Sequence, residues 1–373
     1  MWRASWQRHN GHEKVAEDLI KYFMRYLNIC GRQVGEQHPV FMIAEIGSNH
    51  NLDKTIVKAL IDTSYSAGFN AVKFQTYEPL EVFSGKITTR EVNYEKLYGY
   101  KPWWKIARDH ILMPRQWFGE MFEYVKRKNM MVFSTVHSVK DAEFIMKFDP
   151  PLFKVASIDV THLEFLGELA KFKKPILLST GMSYLREIDE AIDTIVRNGN
   201  DELALLHCVS CYPPKPEDVN LRNIVTLRDT FNVPVGFSDH SPNNYMAVAS
   251  VALGACILEK HVTLNRNMKG PDHPFAIEPE MMRDLVRSVR EVEAALGTFK
   301  RNLSSDELES RRQIRRSIVA KSIIKKGELL DRSKLKFTRP GTGIEPKYIE
   351  HVVGRKAKVD IEKEEIVTID MLE

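Results

Sequence analysis

The chain has 373 residues, 43% of them hydrophobic and 28% charged, with a formal net charge of +4 and four cysteines. It is longer than one ordinary barrel of roughly 250 residues, so a second, smaller domain is expected. No apolar stretch approaches the ~20 residues a membrane span needs, and the few cysteines exclude a disulfide scaffold.

The N-terminus, MWRASWQRHNGHEK, is polar and is followed by no apolar h-region. A signal peptide is therefore not expected, and a cytoplasmic location is. Within residues 1–28, Val15, Leu19, Ile20, Phe23 and Leu27 recur at helical spacing and predict a short amphipathic helix. Residues 29–40 set turn formers between short apolar pieces, which predicts a hairpin closing a barrel floor.

Eight apolar runs of strand length follow: FMIAEI (41–46), AVKFQ (71–75), MMVFST (130–135), LFKVAS (152–157), PILLST (175–180), LALLHC (203–208), VPVGFS (233–238) and ACILEK (255–260). Each is bounded by turn signals, and amphipathic segments of helix length separate most of them. Such runs read as buried parallel strands, and the alternation predicts a (β/α)₈ TIM barrel over 41–297. The longest connection, 76–113, carries Tyr77, Tyr94, Tyr98, Tyr100, Trp103 and Trp104. A long loop at strand ends reads as a lid or specificity element. Residues 298–310 read as a polar linker. Residues 311–373, with KKGE and Pro-Gly-Thr-Gly turns, read as a small, mostly β domain.

That last segment holds 16 Lys and Arg against 10 Asp and Glu, a surplus of +6 that leaves −2 for the rest. It lacks aromatic interleaving and any nucleic-acid motif, so cations for an anionic substrate are the better reading of the surplus.

The runs end at or beside Glu45, Lys73, Thr135, Lys154, Ser179, Ser210, His240 and His261. In a closed barrel the seventh, eighth and first strands are neighbours. That brings His240, His261 and Glu45 together, a set able to hold a divalent cation with open positions. Two hydrogen-bonded histidines without metal would satisfy the same pattern. Lys73, Thr135, Lys154, Ser179, Ser210 and Ser238 belong to six successive strands and could neutralise a phosphate and a carboxylate. Any single hydroxyl could instead serve local backbone groups, but two buried lysines need an anion. Cys208 and Cys211 form a lone C-x-x-C with no second pair for zinc. Asn49 and His50 are expected to orient Glu45. Gly341 and Gly343 are expected as turn glycines.

The segments IAEIGSNHN (43–51), AVKFQTY (71–77), PILLSTGM (175–182), LLHCVSCYPPKPEDVNL (205–221), VGFSDHS (235–241), ILEKHVTL (257–264) and KGPDHPFAIEPEMM (269–282) resemble, in sequence and order, the sialic acid synthase (NeuB-like) family. The C-terminal RRSIVA, IIKKGE and RPGTG resemble that family's antifreeze-like SAF domain. The resemblance covers about 29–373. It implies condensation of phosphoenolpyruvate with an N-acetylated amino sugar, such as N-acetylmannosamine, with release of phosphate. It implies a divalent metal, usually Mn²⁺ with Mg²⁺ or Co²⁺ as alternatives, held by His240 and His261. Lys73, Thr135, Lys154, Ser179, Ser210 and Ser238 would surround phosphoenolpyruvate. Glu45, Gln75, Tyr212 and Asp272 would face the sugar or the reacting centre. Arg339 would reach the sugar across a domain-swapped homodimer.

Where the N-acetylneuraminate enzymes have Gly-Ser-Gly-Glu and an Asn, this chain has Ala156-Ser157-Ile158-Asp159 and Ser210. The first is nearer to the Ala-Ser-Phe-Glu pattern of pseudaminate and legionaminate synthases. Ser157 and Asp159 therefore join the expected substrate-binding set, and a diacetamido-hexose joins N-acetylmannosamine as candidate acceptor. The alternatives are another barrel condensing phosphoenolpyruvate with a phosphorylated sugar, a Schiff-base aldolase using Lys73 or Lys154, or a catalytically dead barrel with a binding SAF module.

Overall fold

A computed structural model describes residues 26–298 and 300–373. The chain divides after Gly297 into two compact units. The predicted N-terminal helix lies outside the described residues up to residue 25. Leu27 does not extend it: it belongs to β1 (Tyr26–Ile29), which pairs antiparallel with β2 (Arg32–Gly35). The hairpin therefore begins three residues before the expected start.

Eight strands close into a parallel barrel: β3 (Phe41–Glu45), β4 (Ala71–Thr76), β5 (Met131–Val136), β6 (Phe153–Val155), β7 (Ile176–Ser179), β8 (Leu203–Cys208), β9 (Val235–Asp239) and β10 (Ile257–His261). Each lies within or beside one of the eight apolar runs, and β10 pairs with β3 to complete the circle. The TIM-barrel expectation holds.

Side chains alternate between the two faces of each strand. One set, including Met42, Val72, Val132, Phe153, Leu178, Leu205 and Leu258, packs with helix residues such as Leu60, Phe122, Leu166 and Ile188. These come from α1 (Lys54–Ala67), α2 (Phe118–Lys126), α4 (Leu163–Ala170) and α5 (Leu185–Arg197); α3 (Val139–Met146) lies between α2 and α4. The other set points inward. Its lower members, Phe41, Ile43, Ala71, Phe133, Leu177, Ala204, Leu206 and Ile257, form a separate core with Leu27, Ile29 and Val34 of the hairpin. The hairpin thus plugs the N-terminal mouth. On β9 the inward position is Gly236, where a Cβ would lie 2.5 Å from Ile257 Cβ and 2.6 Å from Leu206 Cδ2. Glycine is required there by close approach.

Three helices complete the outer ring: α6 (Asn223–Phe231), α7 (Tyr245–Ala252) and α8 (Pro279–Leu296). Gly297 ends α8 with φ 56°. The 77–113 connection is not an open loop. Short helical turns gather Trp103, Ile106 and Ile111 into a satellite core with Phe83, Ile87, Tyr94 and Tyr98.

In the second unit, Ser304 caps α9 (Ser305–Ile314) by accepting from Glu307 N, while Glu307 reaches back to Ser304 N. This capping box places 305–310, the second part of the expected polar linker, in a helix. The strands β11 (Ser317–Ala320) and β12 (Leu335–Thr338) pair antiparallel around a core of Ile318, Ile324, Leu330, Val352, Ile361 and Val367. Gly341 and Gly343 lie in a bend of the chain, as expected. Neither has a left-handed φ. A Cβ at Gly343 would meet Val367 O at 2.7 Å, and one at Gly341 would meet Arg311 O at 2.9 Å. Both are there to let backbone approach backbone.

Candidate functional site

Two more steps up the inward-facing positions, the barrel interior changes character. Glu45, Lys73, Gln75, Thr135, Lys154, Ser179, Ser238, Glu259 and His261 replace the apolar set, and all but Gln75 are buried. The period-2 register of the strands places them in this ring: His261 lies beside Glu45, Glu45 beside Lys73, Gln75 beside Thr135, and Thr135 beside Lys154.

Lys73 is the centre of an ionic cluster. Its ammonium lies 2.9 Å from Glu45 Oε2 and 3.4 Å from Glu259 Oε1, and it donates to Thr135 Oγ1 at 2.8 Å. Burial opposes its charge, but Glu259 and Glu45 outweigh burial and raise its pKa. Lys154 has a different setting. It donates to Ser179 Oγ at 2.6 Å and Val155 O at 2.8 Å, both neutral acceptors. Burial lowers its pKa. No carboxylate of the described residues stands within ion-pair distance of it, and Glu259 offsets its charge only from farther away.

The two carboxylates diverge. Burial pushes Glu45 up to about 7, against the pull of Lys73. Burial also opposes ionisation of Glu259, but Lys73, Lys154 and the hydroxyl of Ser238, which donates to Glu259 Oε1 at 2.9 Å, hold it below the usual carboxylate range. Such separation is what acid–base pairs need. Glu259 escaped the sequence reading because the run ACILEK looks like core strand. The available signal was its spacing of two from His261, which puts both on one face.

His240, just past β9, and His261 have ring centroids 5.4 Å apart. His240 donates from Nδ1 to Val209 O at 3.1 Å, leaving its other nitrogen as a lone-pair donor. Nδ1 of His261 is buried without a hydrogen-bond partner, 3.7 Å from Asp272 Oδ2. Burial, then the neighbouring His261, holds His240 down at about 4; burial lowers His261 likewise. Two neutral imidazoles, one with an unpaired nitrogen, fit a divalent cation with open coordination positions. Among the described residues no three His, Cys, Asp or Glu side chains form a ready metal cage.

Below His240 lies an anchor the sequence did not reveal. Lys260, on the outward face of β10 and 1% exposed, reaches Asp239 Oδ2 at 2.5 Å, Ser241 O at 2.6 Å and Asn243 O at 2.9 Å. Asp239 accepts from Ser241 N at 2.8 Å. The residues flanking His240 are thus tied to the residue preceding His261.

The remaining expected residues separate into groups. Ser157 accepts from Gly181 N at 2.9 Å and contacts Cys208 Sγ at 3.1 Å. A Cβ on Gly181 would lie 2.5 Å from Ser210 Oγ, so Ser157, Ser210 and Gly181 form one small polar nook. Tyr212 packs on His240, with centroids 4.4 Å apart. Asp272 accepts from Ser48 Oγ at 2.8 Å and lines a cleft with Gln75 and Tyr212 above His261. Asp159 instead pairs with His137 Nδ1 at 2.7 Å. Asn49 and His50 do not orient Glu45: Asn49 donates to Val262 O, and His50 Nδ1 accepts from Leu52 N. Gln75 holds Glu45, donating to Oε1 at 2.7 Å. Arg339 is exposed and belongs to the second unit.

Comparison with known proteins adds an independent line. A model of the NeuB family matches residues 60–301, and one of the SAF domain matches 315–373. The chain is 40% identical to an uncharacterized protein of Methanocaldococcus jannaschii, over 94% of this chain and 99% of that protein. It is 33% identical to the N,N'-diacetyllegionaminic acid synthase of Campylobacter jejuni, over 87% of this chain and 98% of that one. The crystal structure of the N-acetylneuraminic acid synthetase of Leptospira borgpetersenii superposes with a TM-score of 0.68 at 30% identity, covering 77% of this chain and 95% of that one.

Proposed function

The chain belongs to the NeuB family and carries a SAF domain, and from that premise we propose that it is a nonulosonic acid synthase. It is a C–C bond-forming transferase that condenses phosphoenolpyruvate with an N-acetylated amino sugar, N-acetylmannosamine or a diacetamido-hexose, and releases phosphate. One observation carries the reading. Lys154, a buried cation with only neutral partners, shares a closed barrel interior with paired imidazoles and with carboxylates of divided acidity.

Lys154 and Lys73 bind the charges of phosphoenolpyruvate, and the hydroxyls of Thr135, Ser179, Ser210 and Ser238 surround it. Ser157 extends this set through its contact with Gly181 N. Carbon 3 of the enol forms a bond to the aldehyde carbon of the sugar, whose oxygen takes a proton. Water adds at carbon 2 and gives up one proton; the bond from carbon 2 to the phosphate oxygen then breaks as the new hydroxyl becomes the ketone, and phosphate leaves with the electron pair and takes up the hydroxyl's proton. Glu45, poised near 7, can take the proton of the attacking water. Glu259, held ionised, offsets positive charge developing at carbon 2. His240 and His261 would hold the divalent cation, manganese by family resemblance with magnesium or cobalt as alternatives. When bound it would polarise the aldehyde oxygen. Gln75, Tyr212 and Asp272 border the cleft in which the sugar would lie.

A homodimer in which Arg339 of the partner subunit reaches the sugar accords with the basic excess of residues 311–373. A cytoplasmic location accords with the polar N-terminus; no described helix is long and apolar enough to cross a membrane.

The test is phosphate release from phosphoenolpyruvate with Mn²⁺ and a panel of N-acetylated mannose, altrose and diacetamido-hexose acceptors. Acceptor-dependent release, abolished by EDTA and restored by Mn²⁺, supports the reading. Release that ignores acceptor, or full activity in metal-free buffer, refutes it. Because a buried lysine of lowered pKa also suits Schiff-base chemistry, borohydride with both substrates must leave Lys154 unmodified.

A further inference from the structure

His240 and His261 stand at the ends of different strands, and two imidazoles hold a cation well only when both rings keep their orientation. A cation-binding imidazole is usually fixed by a hydrogen bond from its other nitrogen. His240 has that tether, donating from Nδ1 to Val209 O. His261 does not. Among the described residues none hydrogen-bonds its ring, and its Nδ1 is buried without a partner. The orientation of His261 must therefore come from packing.

Phe275 supplies it. This ring is 2% exposed, yet it belongs to none of the barrel's hydrophobic cores or the satellite core. It sits in a short 3₁₀ turn, His273–Phe275, in the connection between β10 and α8. It meets His261 with centroids 5.0 Å apart and planes at 67°. It meets His240 at 6.2 Å and 86°, and Tyr212 at 5.6 Å. Such edge-on contacts are favourable for aromatic pairs, and a close-packed ring leaves an imidazole no room to turn.

The wedge is firmly mounted. Ile277 N donates to His261 O at 2.9 Å and Thr263 N donates to Ile277 O at 3.0 Å, a parallel bridge that continues β10. Arg266 then links this segment to the other histidine. Its Nε donates to Ala276 O at 2.7 Å, and its Nη2 donates to Pro242 O, two residues past His240. One guanidinium thus holds both the backbone beside Phe275 and the turn that follows His240.

We propose that Phe275 is a positioning residue: mounted by Arg266, it fixes the ring of His261 against that of His240 and so preforms the cation site. The proposal rests on the synthase reading above, because that reading gives the two histidines their metal.

Calorimetry of the metal-free full chain with Mn²⁺ tests this without turnover. Phe275→Ala should weaken Mn²⁺ binding by about tenfold or more. Phe275→Leu, which keeps much of the volume but not the ring, should weaken it by less. At saturating Mn²⁺, KM for phosphoenolpyruvate should be unchanged in both variants. A residue that only fills space would lower the melting temperature and leave the Mn²⁺ affinity alone. Wild-type affinity in both variants therefore overturns the proposal and leaves the synthase standing. Should Phe275→Ala fail to fold, wild-type affinity in Phe275→Leu alone overturns it. If the wild-type chain binds no Mn²⁺, or binds it equally well after His261→Ala, the cation site of the synthase reading itself is overturned.

Discussion

The floor and the mouth of the barrel are built from the same eight strands, yet they do opposite things. At the floor, the inward positions carry Phe41, Ile43, Phe133, Leu177 and Leu206, sealed by the hairpin residues Leu27, Ile29 and Val34. One or two inward positions further along, they carry Glu45, Lys73, Thr135, Lys154, Ser179 and Glu259. Burial is nearly the same at both levels. At the floor, removing apolar surface from water stabilises the fold. At the mouth it strands charges whose mutual compensation is incomplete, which weakens the fold and shifts acidities. Separating the two levels along one strand lets the floor carry the stability that the mouth forgoes.

Substitutions test whether the levels are separable. The largest effect is expected at Lys73→Met: turnover should fall by roughly 10³-fold or more, since the ligand charge it neutralises is buried. The variant should also make the Glu45–Glu259 pair weaker acids, since Lys73 lowers both pKa values, visible as a shift of the kcat/KM pH profile to higher pH. Wild-type rates in this variant would break the assignment of the mouth.

Lys260→Met removes one partner of a buried ion pair and should destabilise by about 3–5 kcal/mol. The double variant Lys260→Met with Asp239→Leu should recover part of that loss. If the anchor also fixes His240, Mn²⁺ affinity measured by calorimetry should fall in both variants. Recovered stability with unchanged metal affinity would make it a purely structural pair.

Phe133→Ala, at the floor, should cost about 3–5 kcal/mol through lost burial and a cavity. At a temperature where the variant is still folded, kcat should stay within a few-fold of wild type. A parallel collapse of kcat would mean the two levels are not independent.

The smallest effect is expected from pH. His50 and His240 are held by burial near 4, below their ordinary value. Between about 6.5 and 4 the unfolded chain binds more protons at these sites than the folded one, so stability falls as pH falls through that window. Glu45, raised to about 7, opposes this in part between about 4.5 and 7, where the folded chain is the one holding the extra proton. The melting temperature of metal-free protein should drop by several degrees from pH 6.5 to 4, and His50→Asn should reduce the drop. A flat profile would remove the claim that these imidazoles are buried neutral.

Much of this was legible in the chain. The eight apolar runs located the barrel strands, because strands buried on both faces have no freedom to be polar except where they end. For the same reason a Lys or His at the end of such a run, as at Lys154 or His261, signalled a site. What escaped has physical causes too. Glu259 sits inside an apolar run, and only its inward register distinguishes it from an error in the core. Lys260 and Asp239 face outward on neighbouring strands, a pairing no local spacing encodes. Asp159 turns to His137, a partner 22 residues away on the preceding strand's loop. Residues 305–310 looked like linker because α9 is polar all round and announces itself only through its capping box.

By itself, then, the sequence determined the strand count, their parallel order, the polarity of each strand end and the family to which the chain belongs, because hydrophobic burial and period-two alternation are local properties of the string. Only the tertiary structure decided which of two adjacent carboxylates is the weaker acid, which lysine has no carboxylate of the described residues at ion-pair distance, and that the 77–113 segment gathers aromatic side chains beside His261. Those depend on distance and solvent exclusion between segments far apart in the chain, and electrostatic energies in a buried site change with every ångström of that arrangement.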